Sequence, residues 1–334
     1  MIAISVIIVT RNEERYIIDC IQSIENQFDP NHQWELIIVD GQSEDNTVKL
    51  SKNYLETSAN YPFQIIDNPK RILASGWNIG IKASKGEFII RPDAHAILYP
   101  DYISVGLKTL AAKPEVGAVG GTLKTLSKNF WGNLIKVALS SKIGVGNSSF
   151  RVGAKSGYKD TAVYGIYRKQ VFDDAGLFDE ALTRHQDTEF HARVVSKGWK
   201  FWLNDKMKAG YYCRDSLFSL AKQMFNIGLY IPDLVVGKKT QGVQIRHMMP
   251  FIFFSVFFAG FIIGFFVPIF QWLAVLQMAI YLLVLLLFSV FRIFSSGKFE
   301  IKYLLLAPVI FTMHFCYFAG TLMGFMKKLF RRKT

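Results

Sequence analysis

The chain has 334 residues, a formal net charge of +13 and 51% hydrophobic residues, 29 of them Phe. The length suggests about two domains. The positive balance points to an anionic partner, and with no long Lys/Arg tract interleaved with aromatics the reading is a membrane surface or a phosphate-bearing substrate, with no nucleic acid. Three isolated cysteines, Cys20, Cys213 and Cys316, lack metal-ligand spacing. They read as reduced thiols in a cytosol-facing protein rather than a disulfide framework.

The apolar residues 1–9 have no basic region before them and no small-residue cleavage site after them, so they read as a buried strand rather than a secretory leader. From there to about residue 125, continuous Val/Ile runs predict strands over 5–9, 35–39, 64–66, 87–90 and 116–120. Amphipathic patterns between them predict helices, for example over 14–25, 47–55 and 74–83. Such alternation implies an α/β domain with a mostly parallel central sheet and helices on both faces. Ligands of these sheets bind at the carboxyl ends of the strands. Polar clusters follow those ends: Thr10-Arg11-Asn12-Glu13, Asp40-Gly41, and Asp93-Ala94-His95.

Each cluster has a plain physical reading. Thr10 to Glu13 can grip a base or ribose, and Thr10 or Asn12 can equally cap the next helix. Asp40 can accept from a base N–H or a ribose hydroxyl, while Gly41 lets backbone approach closely. Asp93 can hold a divalent metal that in turn holds a diphosphate. His95 either joins that metal, which suits Mn²⁺ better than Mg²⁺, or bonds a phosphate. Glu189 and Arg193 lie four residues apart on a predicted helix and form a surface ion pair in the simplest reading.

Four segments stand in one order: Ser5-Val-Ile-Ile-Val-Thr-Arg-Asn-Glu-Glu14, Asp40-Gly-Gln-Ser-Glu-Asp-Asn-Thr47, Arg91-Pro-Asp-Ala-His95 and His185-Gln-Asp-Thr-Glu189. Together they resemble the nucleotide-sugar domain of family 2 glycosyltransferases, with a GT-A fold, and in particular the membrane-anchored succinoglycan-biosynthesis type. The resemblance implies that Thr10, Arg11, Asn12, Glu13, Asp40, Arg71, Asn78 and Asp93 bind the nucleotide-sugar. It implies a metal, Mn²⁺ or Mg²⁺, at Asp93 and His95. Asp187 matches the family's general base, which must take the proton of an acceptor hydroxyl. One base and a metal-bound leaving group imply inversion at the anomeric carbon. Asp160, Gln186, Glu189, Arg214 and Gln223 fall where relatives line the acceptor or cover the diphosphate. The usual Gln-x-x-Arg-Trp there reads Gln223-Met-Phe-Asn-Ile227, which argues against a processive synthase.

The C-terminal third is of another kind. Residues 248–291 contain no charge, enough for about 66 Å of helix, twice the hydrocarbon core of a bilayer. Pro268 and Gln271 mark a turn, predicting spans over 249–269 and 272–291, and a third apolar stretch covers 303–325. Two earlier stretches, 130–145 and 217–236, are amphipathic and fit either a membrane surface or packing on the sheet. The domain division is 1–235 for transfer and 236–334 for the membrane. Three crossings from a cytosolic domain would place the basic tail, Lys327, Lys328, Arg331, Arg332 and Lys333, outside, against the positive-inside tendency.

The expectation is an inverting, metal-dependent enzyme of the inner cell membrane with its catalytic domain in the cytosol. It would move a hexose from a UDP-sugar to a lipid-linked acceptor for an extracellular or capsular polysaccharide. The alternatives are loading of a sugar onto polyprenyl phosphate, a processive synthase, and a non-catalytic membrane sensor of sugar nucleotides.

Overall fold

The computed structural model describes residues 3–29, 33–146, 155–182, 184–236, 245–295 and 299–331. Met1, Ile2, Arg332 and Lys333, named above, lie outside them. In chain order the elements are β1 (Ile4–Thr10), α1 (Ile17–Glu25), β2 (Trp34–Asp40), α2 (Thr47–Ser58), β3 (Phe63–Asp67), α3 (Leu73–Ala83), β4 (Phe88–Ile90), β5 (Ala96–Leu98), α4 (Tyr102–Ala112) and β6 (Val116–Leu126). There follow α5 (Phe130–Leu139), α6 (Lys142–Val145), β7 (Gly157–Lys159), β8 (Ile166–Arg168), α7 (Gln170–Ala175), α8 (Gln186–Ser196), β9 (Lys200–Tyr212) and α9 (Leu217–Val236). The last helices are α10 (Ile245–Ile263), α11 (Pro268–Ser295) and α12 (Leu306–Arg331), the last preceded by a 3₁₀ turn, Ile301–Leu305. These residues form two compact units: 1–124 with 149–212, and 125–148 with 213–334.

The first unit is built on one sheet with strand order β3-β2-β1-β4-β8-β6-β9-β5, and β7 pairs with β9. β3, β2, β1 and β4 pair in parallel, and the contacts of β6 with β9 also run in one direction, Glu115 to Lys200, Thr122 to Met207 and Leu126 to Cys213. The pairs β4–β8, β6–β8, β5–β9 and β7–β9 are antiparallel, so the sheet is mixed. An apolar run marks a strand but carries no sign of its direction, and the alternating burial along β9 is the mark of a strand with one open face. β1 and β2 are almost wholly buried, and their register places Thr10 beside Asp40 at the carboxyl end. Ile7, Ile37, Val39, Trp77, Ile89, Tyr167, Phe172, Phe178 and Phe190 belong to one buried core on this sheet.

Helix α3 sits directly on β1. A Cβ on Gly80 would lie 2.4 Å from Cγ2 of Ile7, and one on Gly76 would lie 2.5 Å from Cγ1 of Val9. The small residues are what let the helix approach.

In the second unit α9 runs beside α12. A Cβ on Gly320 would meet the Phe225 carbonyl, one on Gly228 the Tyr317 carbonyl and one on Gly324 the Leu229 carbonyl, all within 2.3 Å. Small residues at such crossings let two backbones touch. The stretches 130–145 and 217–236, expected before residue 235 as part of the transfer domain, thus belong to the unit of the apolar helices. Helices α10 and α11 form the expected hairpin, but the turn comes earlier, at 264–267, and Pro268 opens α11. Proline suits that first position because its fixed φ is helical and no N–H is lost. The segments Pro268–Ser295 and Ile301–Phe330 are each long and apolar enough to cross a membrane.

Replacing Gly80 with Val should overpack the α3–β1 contact and lower stability by roughly 1–3 kcal/mol, read as a lower thermal midpoint of the detergent-solubilised protein. An unchanged midpoint would show that Ile7 can yield.

Candidate active site

Three loops leave the carboxyl ends of β1, β2 and β3, and each carries a non-glycine residue in the left-handed region: Asn12, Gln42 and Arg71. Such backbone costs about 1 kcal/mol or more per residue and concentrates at functional edges. The first two loops are laced together. The Asn12 amide donates to Ser43 Oγ (2.9 Å), and Asn12 Oδ1 accepts from the Glu44 amide (2.8 Å). The Glu13 amide donates to Thr47 Oγ1 (2.7 Å) and the Glu14 amide to Asp45 (3.1 Å). Glu14 accepts in return from the Asn46 amide and side chain. Asp40 accepts from the Ser43 amide and hydroxyl, at 2.8 and 2.6 Å. The expected cap of the next helix by Thr10 or Asn12 is not formed, since α1 begins after Tyr16 without a side-chain capping bond; Asn12 and Glu13 instead hold the loops together, and the buried Thr10 hydroxyl finds no partner among the described residues. Arg11 reaches Glu44 (3.5 Å) at the surface. Arg71 Nε donates to the Gln42 side chain, joining the third loop to the second.

Asn78 on α3 is turned inward. Its amide donates to the Phe178 carbonyl and Glu180 and accepts from the Phe178 amide, each at 2.9 Å. It fixes the 178–180 loop with both of its N–H donors and one acceptor position.

The chemical centre lies after β4. Arg91 is 6% exposed, and its guanidinium carbon stands 4.3 Å from the Trp77 ring centre and 4.4 Å from that of Phe178. It donates to Asp187 Oδ1 at 2.7 Å. Asp187 lies in the first turn of α8, where the helix end favours negative charge, and its side chain keeps 49% exposure. Burial works against its charge, but Arg91 outweighs it and holds the carboxyl below its usual range. Asp93, bridged to Val9 in parallel fashion, behaves oppositely. Burial pushes its carboxyl up against the pull of His95, and the nearby Asp187 charge adds to the rise. His95 Nδ1 is 3.0 Å from Glu13 Oε1.

Among the described residues no three His, Cys, Asp or Glu groups converge as a complete metal cage. Asp93 nonetheless carries a carboxylate short of positive partners, and the bond of His95 Nδ1 to Glu13 fixes one ring nitrogen, the usual arrangement when the other ligates. One or two side chains, with substrate oxygens completing the sphere, is how Mg²⁺ is commonly held. The donor set fits a hard divalent cation shared with a phosphate-bearing ligand.

Of the remaining candidates, Gln186 is buried next to Asp187, and its Oε1 finds no partner among the described residues. Glu189 is locked to Arg193 by two bonds of 2.6 and 3.0 Å, the ion pair its spacing suggested. Asp160 is exposed just beyond β7. Arg214 and Gln223 belong to the second unit.

Sequence reasoning passed over Arg91, Tyr167 and His191. His191 lies one helical turn after Asp187, a spacing that could have flagged it. Its ring is buried, with Nδ1 2.9 Å from Thr161 Oγ1 and Nε2 2.8 Å from the Tyr167 hydroxyl. Burial pushes its pKa down to about 4, against the pull of Asp187, so the folded protein keeps it neutral. The unfolded chain binds this proton below about pH 6.5. The stabilisation is therefore full above pH 6.5 and is lost as pH falls towards 4, on the order of 3 kcal/mol. His191→Gln should flatten the fall in thermal midpoint between pH 7 and 4.5. A variant with the same slope as the parent would remove His191 from the acid response.

The family model described as Glycosyl transferase family 2 matches residues 5–174, half of the chain. A dolichyl N-acetyl-alpha-D-glucosaminyl phosphate 3-beta-D-2,3-diacetamido-2,3-dideoxy-beta-D-glucuronosyltransferase of Methanococcus voltae is 33% identical over 231 residues, covering 67% of this chain and 71% of its own. Succinoglycan biosynthesis protein ExoA of Rhizobium meliloti (strain 1021) is 27% identical, covering 67% of each. Among solved structures, the mannosyltransferase PcManGT from Pyrobaculum calidifontis, in complex with GDP-Man and Mn²⁺, has a TM-score of 0.61 at 16% identity, covering 97% of this chain and 87% of its own. GalNAc-T7 with UDP, GalNAc and Mn²⁺ has a TM-score of 0.52 at 13% identity, covering 65% of this chain, which spans only 45% of that enzyme. At these identities the structures speak for the GT-A-like fold alone, whereas the family model and the Methanococcus relative settle membership: the chain belongs to glycosyl transferase family 2.

Proposed function

We propose that this glycosyltransferase moves a hexose from a nucleotide-sugar, in our reading a UDP-sugar, to a lipid-linked sugar with inversion at the anomeric carbon. The observation that carries the reading is the Arg91–Asp187 pair, which keeps an ionised, half-exposed carboxylate in the same electrostatic field as Asp93. The lipid-linked acceptor is supported by the Methanococcus relative, whose name states a dolichyl phosphate sugar, and by the apolar helices of the second unit. A role in extracellular polysaccharide assembly is supported by the name of the Rhizobium relative. The proposed setting is the inner membrane, crossed by the α10–α11 hairpin, with the transfer unit on the cytosolic side where sugar nucleotides are made.

In this mechanism Thr10, Asp40 and Arg71 hold the nucleoside at the carboxyl ends of the strands, with Arg11 beside them. Asn12, Glu13 and Asn78 keep the loops in place. Asp93 and His95 would hold Mn²⁺ or Mg²⁺, which supplies charge neutralisation for the departing diphosphate. Asp187 accepts the proton of the acceptor hydroxyl as its oxygen bonds to the anomeric carbon and the sugar–phosphate bond breaks, its electron pair leaving with the nucleoside diphosphate. Arg91 orients the carboxylate so that its other oxygen faces the acceptor. Gln186, with its free carbonyl oxygen, can accept from a second acceptor hydroxyl. Asp160, Arg214 and Gln223 are assigned to the acceptor and diphosphate on family grounds.

The test is a parallel screen of radiolabelled UDP-, GDP- and TDP-sugars with the full chain in lipid nanodiscs, Mn²⁺ and a lipid extract of its host. Label should enter the lipid fraction from one donor. Asp187→Asn should lower turnover by about 10²–10⁴-fold with donor affinity little changed, and Asp93→Ala should abolish the response to added metal. Transfer that survives Asp187→Asn would favour a phosphate acceptor, which needs less base assistance. No transfer and no donor hydrolysis, despite tight nucleotide binding, would overturn the catalytic reading.

Arg91→Met keeps the volume between Trp77 and Phe178 but frees the base. Because Arg91 lowers the Asp187 pKa, its loss should move the acid limb of kcat/KM to higher pH and reduce kcat while leaving donor KM in place. An unmoved acid limb would detach Arg91 from the reaction.

A further inference from the structure

We infer that α12 does not cross the bilayer but lies in the plane of its cytosolic face, beside α9, as a lipid-contacting surface helix beneath which the α10–α11 hairpin descends. The inference rests on the hairpin crossing the membrane and not on the transfer chemistry.

The crossing angle can be read from side-chain contacts. Within the hairpin, Gln277 bonds to the Phe253 carbonyl (2.9 Å), and the Phe253 and Tyr281 rings lie 4.9 Å apart, so Phe254 and Tyr281 stand at nearly one height. Helix α12 meets that height first with Phe311, 6.0 Å from Phe254 and 6.3 Å from Tyr281. His314 then bonds to Tyr281 at 2.9 Å, and Phe315 and Phe318 follow, 5.5 and 5.3 Å from Phe254. Phe325 still touches Phe251, at 5.2 Å. From Phe311 to Phe325 a helix advances about 21 Å, while its ring contacts on α10 stay within Phe251–Phe258, about 10.5 Å, and Phe318 alone touches both ends of that stretch, Phe251 at 6.0 Å and Phe258 at 5.7 Å. A third span running alongside the hairpin would have moved with it. Helix α12 instead passes from α11 to α10 at a steep angle.

The depth fits a surface position. The uncharged part of the hairpin begins at Met248, and the turn at 264–267 lies about 27 Å further on, near the thickness of the hydrocarbon core. The amides of Gly264, Phe265, Phe266 and Val267 are all bonded to preceding carbonyls, so the turn brings no free donors into or through lipid. Trp272, 72% exposed beside the turn, suits the far interface. The α12 crossing is centred on Phe254, about 9 Å inside the near edge, within the depth at which in-plane amphipathic helices rest.

Helix α12 is two-faced in the way such a position needs. Phe315, Leu322, Met326 and Leu329 are exposed along one stripe, spaced by seven, four and three residues. The opposite face, with Gly320 and Gly324, is covered by α9. Lys328 bonds to the Pro232 carbonyl (2.8 Å) and Asp233 (3.1 Å) of α9, and Lys327 is exposed. Both ammonium groups then sit among the headgroups of the inner leaflet, and the chain's basic end stays on the side the positive-inside rule favours.

The test uses the full chain with Cys316→Ser, carrying one nitroxide at a time at residues 315, 322, 326 and 329, in phosphatidylglycerol–phosphatidylcholine vesicles. Accessibility to oxygen and to a water-soluble relaxant reports depth. Similar shallow depths at all four sites, with a residue on α11 such as Leu283 much deeper, are expected. A depth that runs steadily through the bilayer from 315 to 329 would overturn the proposal. A second arm fuses green fluorescent protein or alkaline phosphatase to the C-terminus, in parallel with N-terminal fusions. Both ends should report the same side, and opposite sides would establish a third crossing.

Discussion

The transfer unit depends on one ionic contact, Arg91 to Asp187, and on how it is insulated. A guanidinium buried between Trp77 and Phe178 is costly unless paired, and here both its stacking partners and its counter-ion come from elements far apart in sequence: α3, the 178–180 loop and α8. The strand β4, the helix α3 that Gly76 and Gly80 allow onto β1, and the start of α8 must all be in place for the pair to exist. Asn78 completes the arrangement by tying α3 to the loop that carries Phe178. Correct folding and correct presentation of the carboxylate are thus one event.

The same pair separates two carboxyl groups that would otherwise behave alike. Asp187 is held ionised by the guanidinium, and Asp93, lacking an equal partner, resists ionisation. Environments that push two acids apart mark out different roles. In the proposed mechanism the first is the base and the second the cation ligand. His191, neutral between Thr161 and Tyr167, stiffens the far side of this cluster without adding charge.

Much of this was legible in the sequence because it rests on local rules. The Val/Ile runs ended where strands β1, β2 and β4 end, and the polar residues after them are the ones that line the edge. The charge-free stretch announced the hairpin. What stayed hidden depends on contacts between distant segments. No local pattern states that Arg91 meets Asp187, that Asn78 turns inward to Phe178, or that β8 runs antiparallel between β4 and β6. The turn of the hairpin was misplaced because Pro was taken as the bend, when its geometry serves equally well to begin a helix. The third apolar stretch forms a helix long and apolar enough to cross a membrane, as its composition suggested, but composition carries no direction.

The lacing of the first two loops has a consequence for selectivity. Residues 12–14 and 43–47 hold each other through backbone amides, so their shape is set when the chain folds and not when a ligand arrives. A pocket made this way gives up little freedom on capture and has little room to adjust to a different ligand. If the loops hold the donor as proposed, changing the donor would require altering residues that also fasten the loops, so that donor preference and thermal endurance would drift together under selection.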